Sequence, residues 1–199
     1  MVAKINADTS GGLKITSDTS GALDIQSAGT TKIAMDSSGN VSLAGNLAVT
    51  GSMPTGSIMQ VIQGRTKAVV TTTSSTSFVD IGLSATITPS STSSKILVIC
   101  NVAGIMIDGT SGAFARLILL RGSTNVTGDA AAPYLAYPHL YLGTAASRSA
   151  PSSINYLDSP ASTSALTYKI QNANSGGGTI NFQRDSQVYS TMMLMEVAG

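Results

Sequence analysis

Charge is scarce in this chain. Lys, Arg, Asp and Glu together make up 11% of its 199 residues, under half of the roughly 25% usual in globular proteins. Eleven cations face ten anions, for a net charge of +1. A nucleic-acid footprint needs a surplus of Lys and Arg to displace counterions, so the balance argues against that partner. Trp is absent, and Cys and His occur once each. One Cys excludes an intrachain disulfide framework, and one His with one Cys cannot complete a four-ligand zinc site within one chain. Long apolar runs are missing too. The longest, 96–107, is interrupted by Asn101, and as a helix it would span about 18 Å against the roughly 30 Å of a bilayer core. The first ten residues alternate polar and small side chains without the apolar stretch of a signal peptide. The expectation is a soluble protein, made in the cytoplasm of its producing cell, that inserts into no membrane.

Hydroxyls and glycine fill the gap: the chain has 29 Ser, 23 Thr and 20 Gly. With 42% hydrophobic residues and so little charge, the composition is the reverse of a disordered one. A neutral, β-prone structural protein fits it.

Residues 8–50 carry a repeat. Asp8-Thr-Ser-Gly-Gly-Leu-Lys-Ile15 returns ten residues later as Asp18-Thr-Ser-Gly-Ala-Leu-Asp-Ile25. Lys32-Ile33-Ala34-Met35, Asp36-Ser-Ser-Gly-Asn-Val-Ser-Leu43 and Gly45-Asn-Leu-Ala-Val49 follow. Each copy sets two apolar residues two positions apart: Leu13/Ile15, Leu23/Ile25, Ile33/Met35, Val41/Leu43 and Leu47/Val49. That spacing predicts a short strand with one apolar face. Asp or Ser opens each intervening turn and Gly closes it, as type I turns prefer. Ten apolar side chains over about 43 residues make too thin a core for a lone chain, so the segment calls for partner chains.

The texture changes after residues 51–56. Residues 57–199 read as strands broken by Gly, Pro and Ser/Thr clusters, without an amphipathic helix of useful length. In 78–88 the alternation puts Val79, Ile81, Leu83, Ala85 and Ile87 on one face. Further strands are expected at 95–107, 115–120, 153–157, 165–171, 179–183 and 191–197. The fold class expected is all-β: a β-repeat segment over 1–52, then an antiparallel β-sandwich of jelly-roll type over 57–199. Strands 96–107 and 192–195 are apolar on both faces. Either a subunit interface covers the second face, or these strands run centrally beneath a long loop.

Sites for chemistry are thin. Asp8-Thr-Ser-Gly11 and Asp18-Thr-Ser-Gly21 resemble the aspartic-protease motif, but an extra Ser precedes the Gly, and the tetrad type returns at Asp36; these are turn residues. His139 is the one possible imidazole base, and its stretch 133–141 offers no carboxylate. Neither a Gly-x-Ser-x-Gly elbow nor a phosphate-binding loop occurs. Cys100 sits among Val98, Ile99 and Val102 and reads as a buried, inert thiol. Asp80, Asp108, Asp129, Asp158, Asp185 and Glu196 are scattered, without the close pair a glycosidase needs. The chain is expected not to be an enzyme and to hold no cofactor and no metal. The candidate receptor contacts are Tyr134, Tyr137, His139 and Tyr141, interleaved with Pro133 and Pro138. Tyr on a stiff loop offers a large amphipathic contact at low entropic cost. The same cluster would equally serve packing at a subunit contact.

The repeat, ending in Leu-Ala-Val-Thr-Gly51, resembles the N-terminal stalk segments of fibre and appendage proteins of tailed bacteriophages, marine phages especially. Ser77-Phe-Val-Asp-Ile-Gly-Leu83, Ile87-Thr-Pro89, Ser94-Lys-Ile-Leu-Val98, Leu157-Asp-Ser-Pro160, Thr167-Tyr-Lys-Ile170 and Leu194-Met-Glu-Val197 are similar to a jelly-roll tip domain of such proteins. The two resemblances cover nearly the whole chain. They imply a homotrimer on the virion, assembled in the host cytoplasm, with residues 1–50 joined to other virion proteins and the tip turned outward. The function so implied is a tail fibre or tail-tip adhesin that meets a host-surface glycan or protein. A capsid-bound head fibre or decoration protein is the alternative, and a tail-associated envelope-degrading enzyme is the alternative of another class.

Overall fold

A computed structural model describes residues 21–44, 53–73, 75–108, 115–126, 148–174, 178–184 and 187–199. The chain divides into two compact units, Met1–Ser52 and Met53–Gly199. Strands and turns account for the described residues, and no helix is found among them.

In the first unit, β1 (Leu23–Ser27), β2 (Thr30–Met35) and β3 (Val41–Leu43) form an antiparallel meander. The β1–β2 turn places Ala28 and Gly29 at φ of 52° and 73°. Two successive left-handed residues match the right-handed twist of a hairpin. In the β2–β3 turn, one Asp36 carboxylate oxygen accepts the backbone N–H groups of Ser38 and Asn40, each at 2.9 Å, and the Gly39 N–H donates to the Asp36 carbonyl. The Asp that opens this repeat turn thus orders it with its own side chain.

The second unit holds ten strands. They are β4 (Ile58–Thr66), β5 (Val70–Thr72), β6 (Ser75–Ile87), β7 (Lys95–Asp108), β8 (Ala115–Arg121), β9 (Thr124–Asn125), β10 (Arg148–Asp158), β11 (Leu166–Asn174), β12 (Thr179–Phe182) and β13 (Ser190–Val197). One sheet runs β4-β13-β7-β12-β5, and β10 lies on the other edge of β7. The other sheet runs β6-β11-β8-β9, and all the pairings are antiparallel. Ile81, Leu83 and Ile87 of β6 share one buried cluster with Ile96, Val98 and Val102 of β7, Leu117 and Leu119 of β8, and Met192 and Leu194 of β13. One core therefore lies between two sheets, an all-β antiparallel arrangement consistent with a β-sandwich.

Two glycines make the frame possible. β4 passes so close to β6 that a Cβ at Gly64 would overlap the Ser84 carbonyl oxygen. Gly104, at φ 59°, sits where the partner of β7 changes from β13 to β12. There the Gln183 and Arg184 N–H groups donate to the Ala103 and Gly104 carbonyls, both at 3.2 Å. A side chain at 104 would press within 3.1 Å of that backbone, and the left-handed φ itself favours glycine.

Buried polar groups tie the sheets together. Tyr168 on β11 and Arg121 on β8 both donate to Oδ2 of Asp158 on β10, across the sandwich. Glu196 on β13 is fully buried. Its carboxylate accepts from the Ser90 N–H (2.7 Å), Ser90 Oγ (2.6 Å), Ser94 Oγ (2.7 Å) and Gln60 Nε2 (2.6 Å). These bonds fasten β13 to β4 and to the β6–β7 connection.

Candidate functional site

Tyr134, Tyr137, His139 and Tyr141 lie outside the described residues. Cys100 points into the core from β7, and burial pushes its thiol up to about 12. It is protonated and unreactive at neutral pH. The described carboxylates are engaged singly. Asp80 accepts from Lys169 and Gln171, Asp108 from Arg184 and Asn181, and Asp158 from Arg121 and Tyr168. Among the described residues, no group of three His, Cys, Asp or Glu is placed to hold a metal.

The feature that stands out is apolar. Met195 of β13 lies opposite both Val61 of β4 and Leu97 of β7, and Leu97 in turn lies opposite Leu157 of β10. Residues directly opposite in a sheet point to the same face. Val61, Met195, Leu97 and Leu157 therefore form a straight row across four strands, on the face turned away from the core. Its two ends are the most open: Val61 is 52% exposed and Leu157 50%. The adjacent row is Gln63, Met193, Ile99 and Asn155, and the next is Arg65, Thr191, Asn101 and Ser153. The face thus grades from apolar to polar within two rows. On the other side of the apolar row, Ile58, Met59 and Val197 extend it. At about 4.8 Å between strands and about 6.8 Å between same-face rows, the apolar part covers on the order of 300 Å². A patch of that size lies at the lower end of the largest patches on ordinary monomers, which are often functional.

The first unit repeats the theme. Leu23, Met35 and Val41 form one row, and Ile25, Ile33 and Leu43 the next. Five of these six side chains are exposed, Val41 most of all. Among the described residues of this unit, these two apolar rows lie on a three-stranded meander and stay largely exposed.

No family model matches the chain, and no curated protein does either. The functional reading therefore rests on the chemistry of these faces. The polar end of the larger face is cationic and aromatic. The Arg65 guanidinium stands 5.1 Å from the centre of the Tyr189 ring, and Lys67 Nζ stands 5.8 Å from it. These contacts hold the ring against the end of β4. The signal for the larger face was present in two-sided strands 96–107 and 192–195. On β7, however, the outward apolar side chains near the row are Leu97 and Ile99, and Asn101 ends that stretch.

Proposed function

We propose that the chain is a non-enzymatic structural protein of a tailed-phage virion, a homotrimeric tail fibre or tail-tip adhesin. Residues 1–52 serve as the repeat stalk that joins other virion proteins, and residues 57–199 as the outward tip that meets the host surface. The observation that carries this reading is that both units expose ordered apolar faces. Stable association needs about 800 Å² per partner, polar rim included, of which the apolar part of the larger face supplies under half, so an assembly that covers both faces is favoured over contact through one apolar patch alone. The repeat supplies the stalk resemblance, and that resemblance supplies the number three.

The strand order supports a jelly-roll tip. Counting β4, β6, β7, β8, β9, β10, β11 and β13 as eight strands, one sheet holds the first, eighth, third and sixth. The other holds the second, seventh, fourth and fifth. That nesting of outer strands around inner ones is the jelly-roll arrangement of two Greek keys. Such a tip leaves its loops free to vary for recognition while the sheets hold the subunits together.

Electron microscopy of phage particles labelled with antibody against this chain tests the assignment. Label at the tail tip or along a tail fibre is the expected result. Label on the head would make the chain a decoration protein, and virions without label would overturn the reading.

A further inference from the structure

Along β11 the side chains that face the core run Tyr168, Ile170, Asn172 and Asn174, all four buried. The period of two holds, but the chemistry changes from apolar to amide halfway along the strand. Val79 of β6 and Leu117 of β8 lie opposite Asn172 and share its face. Leu117 is buried in the core, whereas Val79 is 42% exposed. The reason is a cavity of about 360 Å³ beside β5, the edge strand of the larger sheet, where it approaches β6 and β11. Val79, Asn172 and Asn174 line it, together with Val70, Thr72 and Asp80.

The two amide atoms of Asn172 fare differently. The Thr72 hydroxyl donates to the Ile180 carbonyl at 3.3 Å, so it meets Asn172 Nδ2 at 3.0 Å as the acceptor. That fixes which way the amide points. Asn172 Oδ1 is then left buried, without a donor among the described residues. An acceptor stripped of water and unpaired costs stability, and leucine at the same core position would avoid the cost. A donor brought by a ligand accounts for an amide kept in the cavity wall.

We propose that this cavity binds a neutral sugar ring, with a ligand hydroxyl donating to Asn172 Oδ1. Charge argues against an ion, because the one carboxylate in the wall, Asp80, is already paired with Lys169 at 3.0 Å. Val70 and Val79 offer an apolar patch to the C–H face of a ring, beside the hydroxyl and amide groups that orient it. The volume falls within the range of small-molecule sites, about 300–1,000 Å³. The inference deepens the adhesin reading, on which its biological role rests: it names a sugar as the ligand and puts the site on residues other than 134–141.

Saturation-transfer NMR on the full-length chain tests the site. The probes are D-glucose, D-galactose, D-mannose, L-rhamnose and N-acetyl-D-glucosamine at millimolar concentration, with D-glucuronic acid as the charged control. At least one neutral sugar should receive saturation from the wild type. Val79→Phe, a change at an exposed position that fills the cavity, should abolish the signal and leave the melting temperature unchanged. Asn172→Leu should abolish it too, and should melt at or above the wild-type temperature because the unpaired acceptor is gone. Transfer to none of the neutral sugars would overturn the proposal and leave Asn172 Oδ1 to water. A signal that survives Val79→Phe, or transfer to glucuronic acid alone, would overturn it as well. An Asn172→Leu variant that melts well below the wild type would make the amide a structural member and overturn its ligand role. The adhesin reading fails separately: antibody label on the virion head would remove it and leave sugar binding standing, whereas label at the tail tip without sugar binding would remove the site alone.

Discussion

A Leu97→Lys/Met195→Lys variant should sediment as a folded single chain under conditions in which the wild type is assembled. Both residues sit at the centre of the apolar row, on the sheet face turned away from the core. The substitutions therefore leave the interior untouched and change what a neighbouring subunit meets. Both side chains are already half-buried in the single subunit, so losing their contact removes about 2 kcal/mol, roughly thirtyfold in the dissociation constant. Desolvating two ammonium groups adds to the loss. Circular dichroism of the variant should match the wild type, and its sedimentation coefficient should not. If the double variant remains fully assembled, the contact lies elsewhere.

Glu196→Ala should strongly destabilise the second unit. The carboxylate accepts four hydrogen bonds from Ser90, Ser94 and Gln60, and alanine leaves those donors without their shared acceptor. Hydrogen bonds to a charged group are worth about 1.5–3 kcal/mol each but do not add fully. A loss of about 4 kcal/mol is expected, against a much smaller one for Glu196→Gln, which keeps an acceptor oxygen. Burial alone would raise the pKa of this group. The hydrogen bonds from the Ser90, Gln60 and Ser94 side chains and the Ser90 backbone outweigh it and hold the carboxyl at about 2 instead of 4.5. A carboxyl depressed in the folded state stabilises fully above its unfolded pKa, and that contribution fades as pH falls from 4.5 towards 2. The wild type should therefore lose thermal stability steeply across that window. Glu196→Ala, already lacking the contribution, should show a shallower acid limb in the same calorimetric series.

The alternation of β6 was legible because one face is buried and the other wet: Ile81, Leu83, Ala85 and Ile87 are buried as the spacing predicts, whereas Val79, which the same spacing points inward, is 42% exposed. The turn at Asp36 was legible because its chemistry is local. β4 is not legible as a strand in the sequence, and the reason is the candidate site itself. Ile58, Met59, Val61 and Ile62 put apolar side chains on both faces, so no period of two emerges, since the outward face of this strand belongs to the exposed patch. The row across the face was hidden for a different reason. β13, near the end of the chain, inserts between β4 and β7, and β10 joins from the far side of β7. Pairings that distant leave no trace in local sequence pattern. The two-sided apolar character of 96–107 and 192–195 marked which strands take part, but not which of their residues meet.

Sedimentation equilibrium of the full-length chain at micromolar concentration tests the central claim most directly. Two exposed apolar faces covered by copies of the same chain predict a single species at about three times 20.1 kDa, without a monomer fraction. A stable, folded species at one chain mass at the same concentration would contradict the account.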